Sequence, residues 1–483
     1  MISRSWAAAT TPRSGVRQAG SEAGDVTIQE RDGAARADLG DEQPWPWSRL
    51  PFVLRGLRHR NYRLFFCGQL ISLIGTWMQA VAQSWLVYRL TNSAALLGFV
   101  GFAGQIPVFL LASVGGSAAD RYNRHRILLV TQTTSMFLAF ILAALTLTGR
   151  VQVWHVFALA ASLGMVNAFD VPTRQAFAVD MVGRKDLINA IALNSSMING
   201  ARMVGPAVAG VIVAGVGEGW CFLLNAVSYL AVIAGLLLMT VQPQARVPLP
   251  GSALASILEG FRYIRGARPI RSLLLLLGLI SLMGMPYAVL MPIFAAEILQ
   301  GGPRGLGLLM GSSGFGALIG AVVLARKRGI RGLGQWIAFS AGGFGLGLIL
   351  FSQSRSFPFS MMLLVPVGFS MMIEMAASNT LIQSLVRDEF RGRVMAVYAM
   401  MFMGMAPFGS LLAGMLAHRI GAPSTVMLGG VVCIAGAAVF RWHLPALRQE
   451  ARQMIVALQV AGGDPSEENT GQASVVVPQE PQE

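Results

Sequence analysis

The sequence predicts an all-α membrane protein, with twelve transmembrane helices arranged as two pseudo-symmetric six-helix bundles. Three observations support this fold class. Of the 483 residues, 54% are hydrophobic and only 12% are charged, whereas soluble domains carry roughly 25% charged residues. Apolar runs recur along the chain, each long enough (about 20 residues) to cross a bilayer as a helix. Finally, the second half of the chain repeats features of the first at a constant offset.

The apolar runs form two sets of six, and this even number places both termini on the same side of the membrane. The first set covers 62–89, 93–119, 127–148, 152–174, 188–215 and 219–241, and the second covers 270–293, 305–325, 334–353, 357–382, 394–417 and 423–443. They predict an N-terminal bundle over 49–241 and a C-terminal bundle over 270–445. The polar segments 1–48 and 446–483 are expected to be tails, the first of them disordered.

Arginine placement predicts the orientation. The loops at 120–126, 182–186, 325–331 and 386–393 are rich in arginine and lysine. The alternate loops hold isolated arginines only. Because positive residues favour the cytoplasmic side, we expect the first set of loops and both termini to be cytoplasmic.

The connection over 242–269 is the longest polar segment between spans. Within it, one helical face carries Leu254, Ile257, Leu258, Phe261 and Ile264. This periodicity predicts an amphipathic helix on the membrane surface between the two bundles. A loop with accidental periodicity is the alternative.

Charge and cysteine placement exclude several function classes. The net charge of +14 is spread over short loops, not along a stripe on a folded domain, so no nucleic-acid partner is expected. Cys67, Cys221 and Cys433 lie inside apolar runs, and no spacing of metal ligands occurs, so we expect no metal and no cofactor. The chain has no G-x-x-x-x-G-K-[ST] loop, which excludes an ATP-driven pump.

The internal repeat has one constant offset. Residues 182–210 align without a gap with residues 386–414, an offset of 204 (386 − 182). The same offset pairs Asp170 with Glu374, two acids inside apolar spans, and Arg124 with Arg328. The two acids are therefore predicted to be equivalent positions of two parallel repeats.

The stretch GSAADRYNRHR (116–126) resembles the signature loop of the major facilitator superfamily, G-x-x-x-D-R-x-G-R-R/K, between the second and third spans. The matching residues are Gly116, Asp120, Arg121, Arg124 and Arg126. Asn123 replaces the second glycine, and asparagine is the residue that best replaces glycine at positive φ. The resemblance covers about 50–445 and implies the major facilitator fold.

The finer pattern is similar to the drug:proton antiporter branch that contains the enterobactin exporter and macrolide efflux proteins. The stretches that carry this resemblance are 57–91, 170–177, 191–210 and 378–398. The fifth span also resembles the glycine-proline motif of antiporters through Gly205, Pro206 and Gly210. Ala201 and Ala209 stand where that motif prefers glycine. The resemblance implies export and a bacterial cytoplasmic membrane.

The resemblance also implies a conformational switch made by Asp120, Arg124 and Asp170, which would latch the cytoplasmic side. Asp120 and Arg124 lie at i and i+4, on one helical face. We expect Asp170 close to the cytoplasmic end of the fourth span, within reach of Arg124. In the second half, Arg328 is expected to pair with Glu374. A purely structural role for both pairs, and direct proton carriage by either acid, are left open.

Arg202 lies near the middle of the fifth span, where no acid is nearby in sequence. It either bonds to backbone carbonyls of neighbouring helices or supplies a cavity charge for an anionic substrate or for coupling. In this superfamily the first, fourth, seventh and tenth spans border the central cavity. The resemblance therefore makes Trp77, Gln79, Tyr287 and Asn379 candidates for substrate contact.

The predicted function is proton-coupled export of a small amphipathic molecule (a siderophore, a macrolide or another drug) by alternating access. A nutrient-uptake symporter is the alternative, although the antiporter-type fifth span argues against it. A non-transporting membrane sensor is a further alternative. The expected partners are the small-molecule substrate, protons and the lipid bilayer. No enzyme activity is expected, and the protein is predicted to be a monomer.

Overall fold

The computed structural model describes residues 52–183, 186–240, 253–327 and 329–460, and every regular element in these ranges is a helix. Twelve helices are long and apolar enough to cross a membrane, which confirms the predicted fold class. A short 3₁₀ helix, Phe52–Arg58, precedes them. The two predicted tails lie largely outside the described residues.

The six spans of the first half follow one another through short connections. Spans 1 to 6 are Arg60–Thr91, Ala94–Arg121, Arg124–Leu147, Val153–Val182, Leu187–Val216 and Glu218–Leu237. Several of them begin at a side-chain cap, as the sequence allows. The Ser93 hydroxyl accepts from the Leu96 backbone N–H at 3.4 Å, and the Asn123 side chain accepts from Arg126 N–H at 3.2 Å.

The expectation that Asn123 adopts a positive φ is wrong. Asn123 has φ −67° and is the N-cap of span 3. The connection between spans 2 and 3 is so short that span 3 begins at the next residue. An N-cap needs an extended backbone and a side-chain acceptor, and asparagine supplies both.

The second half contains six further spans, two of which are interrupted. Span 7 consists of Arg268–Leu279, a π-helical turn Ile280–Gly284, Tyr287–Ile293 and a second π-helical turn Phe294–Ile298. Spans 8 to 10 are Gly302–Arg326, Leu333–Gln353 and Phe357–Leu385. Span 11 consists of Asp388–Met403 and Met405–Ile420, and span 12 is the first part of the helix Ala422–Val460. That helix continues through residues 446–460, which the sequence assigned to a tail.

The predicted linker helix is present as Ala253–Gly266. It packs on the beginning of span 11, where Glu259 pairs with Arg393 at 3.0 Å and Tyr263 stacks on Phe390 at 4.7 Å. Ile264 is buried, whereas Leu258 and Phe261 are exposed. The side chains of Leu254 and Ile257 lie outside the described part. The bundle boundaries at 241 and 270 stay a prediction.

The two ends of the helix array differ in their content of arginine. Spans 2, 4, 8 and 10 end at the arginine-rich end, and spans 1, 3, 5, 7, 9 and 11 end at the arginine-poor end. Towards the arginine-poor end, the halves meet through glycines. A Cβ on Gly98 in span 2 would lie 2.9 Å from Gly414 Cα in span 11. A Cβ on Gly307 in span 8 would lie 2.4 Å from Pro206 O in span 5. Such small residues let helices approach closely in a membrane.

Candidate functional site

Two adjoining cavities lie where the halves meet. The first has a volume of about 430 Å³ and is lined by spans 1, 2, 4, 6, 7 and 8. The second has a volume of about 320 Å³ and is lined by spans 2, 5, 7, 10 and 11. Gln105, Ala288 and Val289 line both cavities. Each volume lies within the range of small-molecule sites, which is roughly 300–1,000 Å³.

Four of the five predicted contact residues line these cavities. Trp77 and Gln79 line the first, and Arg202 and Tyr287 line the second. Asn379 lines neither cavity, and its side chain accepts a hydrogen bond from Gln383, one turn further along span 10. Its contact with substrate stays a prediction.

Hydrogen bonds fix the orientation of two cavity residues. The Asn225 amide donates to Gln79 Oε1 at 2.7 Å, which joins spans 1 and 6. The Tyr287 hydroxyl and Ser313 hydroxyl are 2.8 Å apart, which joins spans 7 and 8. Both side chains are thus held by the helix bundle before any ligand arrives.

Arg202 is placed in the second cavity by span 5. Its guanidinium carbon lies 5.0 Å from the centre of the Trp77 ring of span 1, within cation–π distance. Arg202 is thirteen residues after Asn189 and fourteen before Val216, the ends of the membrane-spanning segment. At 1.5 Å per residue it lies about 20 Å from either end. The charge is therefore near mid-membrane and contacts an aromatic face.

The predicted pairing of Arg124 with Asp170 is wrong in this structure. Arg124 Nη1 donates instead to both carboxylate oxygens of Asp180, at 2.9 and 3.0 Å. Nη1 also donates to the Ala176 carbonyl at 3.2 Å, while Nε donates to the Ala119 carbonyl at 3.0 Å and Nη2 to Asp120 at 3.5 Å. The arginine-rich end of the first half therefore contains a cluster of Asp120, Arg124 and Asp180.

Span length explains the difference. The sequence placed the end of the fourth span near residue 174, but span 4 continues to Val182. Asp170 is twelve residues before that end, which is about 18 Å along the helix axis. Asp180 is the acid at the depth of Arg124. The sequence contained this acid, but the offset of 204 favoured Asp170.

Asp170 is a buried acid inside the first half. Its Oδ1 accepts hydrogen bonds from the Thr131 hydroxyl at 2.8 Å and the Gln132 amide at 2.7 Å, both in span 3. Its Oδ2 lies 3.6 Å from Arg174 Nε, one turn further along span 4. The Asp170 carboxyl group therefore has two hydrogen-bond donors and one cation as partners.

Glu374, its counterpart in the repeat, has far fewer partners. The side chain is 2% exposed, and the Ser378 hydroxyl donates to Oε1 at 3.4 Å. Within the ranges that the structure describes, no cation pairs with Glu374. Arg328, its predicted partner, lies outside the described residues. An acid of this kind in a membrane helix is costly unless neutralised.

Two further contacts close the arginine-poor end. The Tyr88 hydroxyl at the end of span 1 donates a hydrogen bond to Glu297 at the end of span 7. Gly98 and Gly414 bring spans 2 and 11 together nearby. The closest glycine contacts between the halves, including Gly314 against the Arg202 carbonyl, run from this end to mid-membrane. This is a state closed at the arginine-poor end.

Residues 53–463 match the family model described as transmembrane secretion effector. The chain belongs to this family of major facilitator transporters. The staphyloferrin A transporter of Staphylococcus aureus (strain NCTC 8325 / PS 47) is 27% identical over 380 residues, covering 78% of this chain and 95% of the relative. Macrolide efflux protein A of Streptococcus pyogenes is 23% identical over 395 residues, covering 78% and 96%. The nucleoside transporter NupG shares the fold, with a TM-score of 0.60 at 14% identity over 82% of this chain and 99% of that structure.

For a major facilitator transporter, the fold supports secondary transport by alternating access, in which the halves close first at one end and then at the other. The glycine-proline motif of span 5 lies in this moving interface. A Cβ on Gly205 would lie 2.6 Å from the Trp77 side chain in span 1, and one on Gly210 would lie 3.0 Å from Pro303 O in span 8. Pro206 contributes the carbonyl that Gly307 approaches. The motif therefore packs span 5 against both halves.

Only part of the signature loop of this transporter packs against another span. Arg121 is exposed, and a Cβ on Gly116 would meet nothing within 4 Å. The close approach to span 4 is made by the preceding residue, because a Cβ on Gly115 would lie 2.0 Å from Ala168 O. Gly115 is thus the glycine that the packing requires in this state.

Several polar residues that line the cavities of this transporter were not predicted from the sequence, and two of them are amides on spans 2 and 4. Gln105 in span 2 lines both cavities, and Asn167 in span 4 lines the first. Gln105 donates to Gly101 O at 3.2 Å and lies 3.5 Å from the Ser410 hydroxyl in span 11. Both are amides within otherwise apolar runs. An amide inside an otherwise apolar run was the sequence feature that could have identified both residues.

Proposed function

We propose that this chain is a proton-coupled exporter, which moves a small amphipathic molecule out of the cytoplasm by alternating access. One observation carries the proposal. Two adjoining cavities of about 430 and 320 Å³ lie between halves that are held together at the arginine-poor end. A site of this size between two rocking halves suits a drug-sized ligand. The linings mix apolar, aromatic and amide side chains, which suits an amphipathic one.

Two observations support the proposed direction of transport. The positive-inside rule assigns the arginine-rich end to the cytoplasm, so the state described here would receive its substrate from that side. Among the relatives, one is a macrolide efflux protein by name, which supports export. We place the chain in a bacterial cytoplasmic membrane with both termini in the cytoplasm, acting as a monomer.

Proton coupling requires an acid that changes its protonation during the cycle. Asp170 accepts hydrogen bonds from two donors and lies beside Arg174. Glu374 has one weak donor and no cation in the described residues. Because an isolated buried carboxylate neutralises itself by binding a proton, Glu374 is the better proton carrier in this state. Binding and release of this proton would change the charge of the second half as the halves move.

The test uses everted membrane vesicles with an acid interior and a pH-sensitive dye inside. A siderophore, a macrolide and a cationic dye are added in turn, and a sugar and an amino acid serve as nutrients. An exporter of this kind releases internal protons when an amphipathic substrate is added. The Arg124→Ala variant should fail to do so, whereas Arg150→Ala, which changes an exposed arginine at the arginine-poor end, should match the unmodified protein.

Two other outcomes would contradict the proposed function. If only the sugar or amino acid moves protons, and moves in the same direction as the protons, the chain is an uptake symporter. If none of the five compounds moves protons but one of them is transported, the proton part of the proposal is wrong.

A further inference from the structure

The charge of the two cavities is unbalanced. Among the described residues that line them, Arg202 carries the one formal charge. The other polar groups are neutral amides, hydroxyls and the Trp77 indole. The described lining of the two cavities contains no carboxylate, and a lining of this kind offers a cationic ligand no counter-charge.

Arg202 has no acid partner within the described chain. The ion pairs found there involve other arginines and His59. At a depth of about 20 Å from either end, the long side chain cannot extend to the membrane surface. A charge retained at that depth is expensive. Its position therefore points to a role in binding an ion from the cavity.

The geometry of the guanidinium is suited to such an ion. The guanidinium carbon lies over the Trp77 ring, 5.0 Å from its centre, and the ring attracts the cation through its π face. The N–H donors lie at the edge of the guanidinium plane, in the fork that matches a carboxylate. Among the described residues, none accepts a hydrogen bond from the Arg202 side chain, so these donors can bind a ligand.

We infer that Arg202 binds a carboxylate of the transported molecule, so that the substrate is an anionic amphipath. Its apolar part would occupy the first cavity, beside Val87, Leu97 and Val100. Gln105 lines both cavities and can bond to polar groups in between. This inference rests on the proposed function, because it names the substrate class of the same site.

The inference separates two classes of ligand that an exporter of this family could carry. A carboxylate gains a charge-assisted, bidentate hydrogen bond on entering the cavity. A cation loses its hydration and meets Arg202 of like charge. Amphipathic carboxylates should therefore bind more tightly than neutral molecules of the same shape, and cations should bind most weakly.

The experiment compares three probes with one ring system: pyrenebutyrate, pyrenebutanol and pyrenebutyltrimethylammonium. Binding to the purified full-length protein in neutral detergent is followed by energy transfer from tryptophan to pyrene, with micelle binding subtracted. We expect the carboxylate to bind about tenfold more tightly than the alcohol, or better. In Arg202→Met this preference should disappear while alcohol binding remains. In Arg202→Lys it should fall but persist.

Arg150→Met is the matched control, because it removes an exposed arginine far from the cavities and should keep the full preference. Equal binding of acid and alcohol, tighter binding of the cation, an unchanged preference in Arg202→Met, or no binding of pyrenebutyrate would each overturn the inference. If Arg202→Met fails to fold, Arg202→Lys decides by the same ratio.

Vesicle transport of the same probes separates this inference from the proposed function. If the carboxylate binds but is not moved by the proton gradient, the anion site is supported and the proposed export function is contradicted. If the proton gradient moves the cation and the carboxylate does not bind, the proposed export function is supported and the anion site is overturned.

Discussion

The Tyr88 hydroxyl donates a hydrogen bond to Glu297 and thereby joins span 1 to span 7 at the arginine-poor end. The next residue, Arg89, bonds within its own half, with Nε 2.7 Å from Glu218 Oε1 and Nη2 3.3 Å from Oε2. The end of span 1 therefore carries one bond between the halves and one ion pair inside a half. Only the first must break when this end of the molecule opens.

Replacing Tyr88 by phenylalanine should favour the state that is open at the arginine-poor end. The change removes a hydrogen bond to a charged group, which contributes about 1.5–3 kcal/mol, so the ratio of open to closed should rise about 10- to 150-fold. Hydrogen exchange at residues 92–98 and 299–307 should become faster. Tyr263→Phe is the control, because the Tyr263 ring stacks on Phe390 at the other end. Unchanged exchange in Tyr88→Phe would contradict a closing role.

The cluster at the arginine-rich end predicts an order between two acid substitutions. Asp180→Asn should slow transport most, because Asp180 is largely buried and bonds to Arg124 through both oxygens. Asp120→Asn should have a smaller effect, since Asp120 is 60% exposed and its contact with Arg124 is 3.5 Å, and exposed pairs contribute less than about 1 kcal/mol. Transport rates normalised to the amount of protein in the membrane give the order.

A third substitution separates the two depths of span 4. Asp170→Asn should leave the Arg124 contacts intact, because Asp170 bonds to Thr131, Gln132 and Arg174 instead. Crosslinking of the arginine-rich ends should therefore be normal in Asp170→Asn and altered in Asp180→Asn. The reverse result would restore the pairing that the sequence predicted.

The sequence was sufficient for the twelve spans, because each contains an apolar run that only a membrane or a large core can bury. It was insufficient for the end of span 4. Arg174 looked like a boundary, but it neutralises Asp170 within the helix, so the helix continues. Hydropathy measures transfer to lipid and does not register a charge that is paired inside the protein.

The cavity was predicted in part for a related reason. Trp77 and Tyr287 lie on spans that border the cavity in the superfamily, and they do line it. Gln105 lies on span 2, where its direction depends on how that helix rotates against span 11. That rotation is set by contacts such as Gly98 with Gly414. Such contacts connect residues more than 300 positions apart, and a local pattern cannot specify them.

The Gly307→Ala substitution should disfavour the closed arginine-poor end. The new methyl group would lie 2.4 Å from Pro206 O, and a backbone atom cannot move away without separating spans 5 and 8. We expect transport to fall about tenfold or more. Gly215→Ala is the control, since a Cβ there meets nothing within 4 Å and gains the same helix propensity of about 1 kcal/mol. Equal activity of both variants would show that the contact is not required.

Glu374→Gln should uncouple transport from the proton gradient without stopping it. Glutamine has the shape of a protonated glutamate and can still accept from Ser378, but it cannot release a proton. Substrate exchange at equal pH on both sides should therefore continue, whereas accumulation driven by an acid interior should be lost. Both are measured in everted vesicles with one substrate. Ser378→Ala is the control: it removes the hydrogen bond at 3.4 Å and leaves the carboxyl group, so gradient-driven accumulation should persist. If Glu374→Gln accumulates substrate as well as the unmodified protein does, Glu374 is not the coupling acid, and the proton must pass through another group such as Asp170.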